Sequence, residues 1–188
     1  MFRMARAQKS ILAVAVVLLL LPSLAECSTV HALAIGGQLP QPQGFVSDFA
    51  DKLSSGSKRK IESLLRKFAD QNGIDVAVVT IPFEYMHGQA IENYSLALGR
   101  RWGIGRGQKK LGLLLLIAIK PADVQGRYSG ATRLEVSRNL ERDIPNDLAQ
   151  QIIRTMRGDF QGGRFDQAIN AGVELLLTTL SDKRGIAK

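Results

Sequence analysis

Three features of the sequence predict an α/β fold: an α/β/α three-layer sandwich with a small mixed central sheet and helices on both faces. Residues 111–119 read L-G-L-L-L-L-I-A-I, nine residues without a charge. That is about half the length of a bilayer span, and it suits a strand buried on both faces. Residues 74–81 read I-D-V-A-V-V-T-I, a second such run rich in β-branched side chains. Around these runs lie segments with apolar residues at helical spacing, so helices alternate with strands and can cover the sheet from both sides.

The elements follow in order. Arg3, Arg6 and Lys9 precede an uninterrupted apolar run over 11–21. A charged start, a short apolar stretch and then small residues make a secretory signal over 1–25. Cleavage fits after Ala25 or, further along, after Ala34; an uncleaved anchor is the alternative. Residues 26–44 carry Gly36, Gly37, Pro40, Pro42 and Gly44 without periodicity and read as a flexible linker. The domain is expected over 45–183, with a tail at 184–188.

Residues 45–54 form a short lead-in. Ser54, Ser55 or Ser57 can cap the helix that follows, because a serine oxygen accepts an otherwise orphaned backbone N–H. Ile61, Leu64, Leu65 and Phe68 make its apolar stripe, and Asn72-Gly73 ends it. The strand of 74–81 stops at Pro82. A second helix, about 89–101, turns Ile91, Tyr94 and Leu98 inward. A basic glycine loop leads into the strand of 111–119. A long connection, 120–130, reaches a short alternating strand over 132–136, antiparallel to the previous one if the two form a hairpin. A charged loop over 137–145 precedes a third helix, capped by Asn146 or Asp147 and broken by 158–163. A last helix, about 164–183, buries Phe165, Ile169, Val173, Leu176 and Leu180.

Charge and composition narrow the function. The formal charge is +8, from 25 Lys and Arg against 17 Asp and Glu. Taking away the three basic residues of 1–25 leaves 22 against 17, or +5. The positive residues are scattered, with three Tyr, one Trp and seven Phe among them, so no nucleic-acid partner is expected. Attraction to anionic lipid or to acidic partners is the expected use of such a surface. Cys27 is the only cysteine, which excludes an internal disulfide and a cysteine metal cluster.

The loop Gly103-Ile104-Gly105-Arg106-Gly107 resembles a phosphate cradle in composition only. Nucleotide cradles follow a strand and open a helix, placing phosphate at the helix's positive end. This loop follows a helix and opens a strand, so no nucleotide cofactor is expected. Arg106, Lys109 and Lys110 are its candidate anion-binding residues. His87 is the only histidine after the linker, which leaves little for a Ser-His-Asp or histidine-metal site. Asp48, Glu141 and Asp147 are the candidate metal ligands. Hard oxygen donors from two loops could hold Ca²⁺ or Mg²⁺ if the loops meet; capping and solvation explain the same residues without a metal.

The order of motifs resembles the TPM domain family, named for thylakoid-lumen, photosystem-repair and membrane proteins. Val46-Ser47-Asp48-Phe49-Ala50-Asp51-Lys52-Leu53-Ser54 is similar to the family's V-x-D-x-A-x-x-L-S. Trp102-Gly103-Ile104-Gly105 matches W-G-I-G, and Gly112 through Ala118 matches G-x-L-L-L-I-A. Leu140-Glu141 stands at G-x-G-L-E. The resemblance implies a four-stranded α/β/α domain, exported or lumenal and often membrane-tethered. It also implies either an accessory role for membrane complexes or acid phosphatase activity with calcium in an acidic cleft. Asp48 and Glu141 are the acidic residues carried over by position.

The sequence departs from the family pattern in charge. Lys109-Lys110-Leu111 replaces an acidic or amide pair before the strand glycine. Ser137 and Asn139 replace two glycines, and Asn146 replaces an aspartate beside Asp147. Each lysine near a cation site costs on the order of 1 kcal/mol or more at an effective dielectric near 20. The resulting expectation is an exported binding, assembly or maintenance factor that meets a membrane complex or membrane surface. The alternative is a divalent-metal-assisted phosphomonoester hydrolase.

Overall fold

The computed structural model describes residues 39–107 and 111–186. The expected signal, most of the expected linker, and Lys109 and Lys110 lie outside the described residues. The domain is a four-stranded sheet of order β1-β2-β3-β4. β1 (Val46–Asp48), β2 (Asp75–Pro82) and β3 (Gly112–Lys120) run parallel, and β4 (Ser129–Val136) closes the other edge antiparallel to β3. The four helices are α1 (Ser55–Asn72), α2 (Ile91–Trp102), α3 (Asn146–Gln161) and α4 (Phe165–Arg184).

Strand alternation sorts the core into two layers. Val76 and Val78 of β2, Leu113, Leu115, Ile117 and Ile119 of β3 and Leu134 of β4 face one side, where α1, α3 and α4 cover them. Ala77, Val79 and Ile81 of β2 and Leu114, Leu116 and Ala118 of β3 face the other, under Tyr94 and Leu98 of α2. Residues 113–118 are all buried. Each leucine there contributes about 1.5–3 kcal/mol of hydrophobic stabilisation, which is why the run contains no polar side chain. Among the described residues, no helix is long and apolar enough to cross a membrane.

Several elements differ from expectation. The lead-in contains a strand, β1, which three residues cannot announce by periodicity; its register with Val78, Val79 and Thr80 makes it one. β4 begins at Ser129, so the expected connection shrinks to 121–128. Ser54 caps α1, accepting from the Ser57 N–H at 3.1 Å. At α3 the capping position falls to Pro145, with Asn146 and Asp147 inside the first turn. α3 also runs through Gly158, because Phe160 is packed into the core and holds the last turn.

The starts of α1 and α4 are tied together. Asp166 Oδ1 accepts from the Ser54 N–H at 3.0 Å, and Asn170 Nδ2 donates to Ser57 Oγ at 2.7 Å. Burial pushes the Asp166 carboxyl up, but hydrogen bonds from Ser54 and Ser57 outweigh it and leave the group below the ordinary aspartate range.

Candidate functional site

Asp48 ends β1 as a structural residue. Its carboxylate accepts the Thr80 hydroxyl, the Lys52 N–H at 3.0 Å and the Leu53 N–H at 2.9 Å. These bonds fold residues 48–53 into a turn in which Asp51 takes a positive φ of 51°. Glu141 lies elsewhere. Asp48 is in register with Thr80, and Thr80 with Ile117 of β3, whereas Glu141 shares a cavity with Gly112, five residues back along that strand. Five residues of strand span about 16 Å. Asp147 is exposed in the first turn of α3, where its charge complements the helix terminus. Among the described residues, no group of three or more His, Cys, Asp and Glu could hold a metal ion. As a set of three these carboxylates do not fit Ca²⁺ or Mg²⁺: Asp48 already accepts from three protein donors, and Glu141 lies well along β3 from it.

Arg106 has different company. α2 ends on Gly103 in the left-handed conformation, with φ 73°, and Gly105 repeats it at 71°. The turn then lies flat on the first residue of β3: a Cβ at Gly112 would come within 2.4 Å of the Gly105 nitrogen. Gly112 in turn clamps Ser137, donating its N–H to Ser137 Oγ at 3.0 Å while its carbonyl accepts the Ser137 N–H at 2.9 Å. Leu140, fully buried, anchors the one-turn 3-10 helix Arg138–Leu140 that follows. Arg138 and Glu141, on either side of it, are exposed.

Between the glycine turn, the end of α2 and this short helix lies a cavity of about 350 Å³, lined by Arg100, Arg106, Arg138, Glu135, Ser137 and Glu141 among others. Glu135 is already occupied: Arg133 Nε stands 3.4 Å from its Oε2 and the buried Ser95 hydroxyl 3.2 Å. Among the described residues, none of the three lining arginines makes an ion pair. Three arginines thus line the cavity, and Glu141 is the lining carboxylate that makes no ion pair among the described residues. Sequence reasoning named Arg106 and missed Arg100, Arg138 and Ser137. The left-handed stop at Gly103, one turn after Arg100, was the one usable signal.

A second cavity, about 310 Å³, adjoins the first across Ile104 and is lined by Phe45, Arg66, Val76 and Trp102 among others. Pro42 and Gly44 border it. Trp102 Nε1 donates to the Pro40 carbonyl at 2.7 Å, so the end of the expected linker is held on the domain. Arg66, at this cavity, is paired with Glu62 at 2.8 Å.

Comparison with known proteins bears on this geometry. The TPM domain family matches residues 46–179. Among solved structures, the N-terminal domain of a P. gingivalis protein, determined by solution NMR, superimposes with a TM-score of 0.62 at 26% identity, covering 77% of this chain and 86% of that one. The BA42 protein of the psychrophilic bacterium Bizionia argentinensis gives 0.55 at 12% identity, covering 70% and 83%, a likeness of fold. No curated protein matches by comparison.

Proposed function

Because the chain belongs to the TPM domain family, we propose that it serves as an exported binding, assembly or maintenance module at a membrane, where it meets a membrane complex or the lipid surface. The observation that supports this is the arginine-lined cavity beside the glycine turn. Its guanidiniums are exposed and without ion pairs among the described residues. Unpaired arginines at a concave surface suit recognition of an anionic group on a partner. A hydrolase would ask for converging carboxylates around a divalent ion, and Asp48 is instead committed to Thr80 and the turn over 48–53.

The test pairs fractionation with an activity assay. The expected result is that the protein is recovered with membranes and shows no turnover of a generic phosphomonoester in Ca²⁺ or Mg²⁺. Turnover abolished by Glu141→Gln or Asp48→Asn would replace the module with a metal-assisted hydrolase. Recovery wholly free of membranes would remove the membrane from the reading.

A further inference from the structure

We infer that β4 is a self-pairing edge: two copies of this chain join β4 to β4, antiparallel about a two-fold axis at Leu134, into one continuous sheet. The inference concerns assembly and goes beyond the module reading without depending on it.

The sheet has two unlike edges. β1 offers three residues. β4 offers eight, in unbroken one-to-one register with β3. Exposed edges are usually blunted by proline, lysine, a bulge or a covering segment. β4 contains no proline, no lysine and no bulge, and among the described residues no further strand lies beyond it. The ladder fixes which of its backbone groups turn outward. The Ser137 N–H donates to the Gly112 carbonyl at 2.9 Å, so that pair is a hydrogen-bonded one. Alternation then gives Glu135, Arg133 and Ala131 the bonds to β3. Thr132, Leu134 and Val136 therefore turn their N–H and C=O groups away from it. Among the described residues nothing bonds to those groups.

Charge selects the partner. An inward-pointing charge on an edge strand ordinarily repels a second strand. Here two opposite charges, Arg133 and Glu135, lie two residues apart on one face, 3.4 Å from each other and both partly exposed. A second copy turned about Leu134 sets its Glu135 opposite Arg133 and its Arg133 opposite Glu135. An axis at Arg133 would oppose arginine to arginine, and one at Glu135 glutamate to glutamate, both unfavourable. An axis at Thr132 would leave both charges facing uncharged residues. The favoured register also suits the backbone. Leu134 meets its own copy and Thr132 meets Val136, all outward-facing, for about six hydrogen bonds between the chains. Arg133 and Glu135 then fall at the closer, non-hydrogen-bonded positions, with Cβ atoms about 4.5–5.5 Å apart.

The full chain is followed by sedimentation equilibrium in density-matched detergent, and a concentration-dependent dimer is expected. Arg133→Glu sets like charges opposite each other twice and is expected to raise the dissociation constant about tenfold or more. Arg133→Glu with Glu135→Arg restores both pairs and is expected to bring it back to within about threefold. Thr132→Pro removes one outward N–H per chain and leaves the bonds to β3 in place, so a rise of about tenfold or more is expected. Arg59→Glu, exposed on α1, makes the same change of charge elsewhere and is expected to shift it less than about twofold.

Cross-linking reads the register. One chain carries Cys27→Ser with Arg133→Cys, the other Cys27→Ser with Glu135→Cys. Each alone places its thiol opposite a charged side chain. Mixed, the two thiols face each other at disulfide distance, and one Arg133–Glu135 pair is kept. A thiol oxidant is expected to give a covalent dimer from the mixture and little from either chain alone. A monomer at every concentration overturns the inference, as does a dimer indifferent to Arg133→Glu and Thr132→Pro. So does a folded double reversal that fails to pair, or cross-linking of the single chains equal to that of the mixture. Urea midpoints establish folding, and Arg133→Gln, with a smaller loss expected, replaces Arg133→Glu should the latter unfold.

Discussion

Gly105 and Gly112 meet backbone to backbone, the nitrogen of one 2.4 Å from where a Cβ of the other would be. Alanine at 112 therefore cannot be accommodated by rotating a side chain; the turn or the strand has to move. Gly112→Ala is expected to cost about 1–3 kcal/mol, the usual penalty of overpacking, read from urea midpoints. Gly107, where a Cβ meets nothing within 4 Å, is the control, and Gly107→Ala is expected to be nearly neutral.

Asp48, half-buried, and Thr80, fully buried, form a hydrogen-bonded pair across β1 and β2. Thr80→Val leaves a carboxylate short of one donor, and Asp48→Ala leaves the Lys52 and Leu53 N–H groups without an acceptor. Each is expected to cost about 1–3 kcal/mol. A double-mutant cycle is expected to show coupling of about 0.5–3 kcal/mol. Additive losses would show that the two residues act separately.

Asp166 gives the fold an acid-sensitive link. Its carboxyl titrates below the ordinary aspartate range when folded, because hydrogen bonds from Ser54 and Ser57 overcome the opposing effect of burial. A depressed folded pKa means its contribution is present in full above the unfolded value. It is lost as pH falls below about 4 and through the folded value. The stability difference between the natural chain and Asp166→Asn should therefore be present at neutral pH and shrink on acidification. Urea melts across that range test it; a gap that widens in acid contradicts the assignment.

Trp102 holds the incoming chain by its indole N–H on the Pro40 carbonyl. Trp102→Phe keeps an aromatic ring and removes the donor. The expected loss is about 0.5–1.5 kcal/mol, with faster hydrogen exchange or proteolysis confined to residues near 40. Unfolding felt equally in α3 and α4 would mean that the ring's packing, not its hydrogen bond, was the main effect.

The two central strands were legible because they are buried on both faces, which forces a continuous apolar run in β2 and β3. The helices were legible because each buries a single stripe. β1 was not, since it consists of three residues made a strand by partners about thirty positions away. The same distance hid the pairing of Asp48 with Thr80, so a residue that resembled a metal ligand proved to have three protein donors. Arg100 and Arg138 lie far apart in sequence and line one cavity because β4 folds back on β3 and sets Ser137 beside Gly112. No periodicity carries that information; it resides in sheet register.

The Trp102–Pro40 bond also fixes where any leash begins. From Leu21, the end of the apolar run, to Pro40 there are 19 residues, a contour of at most about 65 Å. Should the run stay in the bilayer, that tether starts next to the glycine turn, since Trp102 directly precedes Gly103. The arginine cavity would then be kept within that contour of the lipid surface, which raises the effective concentration at which it meets a headgroup. Weak intrinsic affinity for a headgroup would suffice, and release of the domain by cleavage after Ala25 or Ala34 would abolish the advantage without altering a single contact in the site.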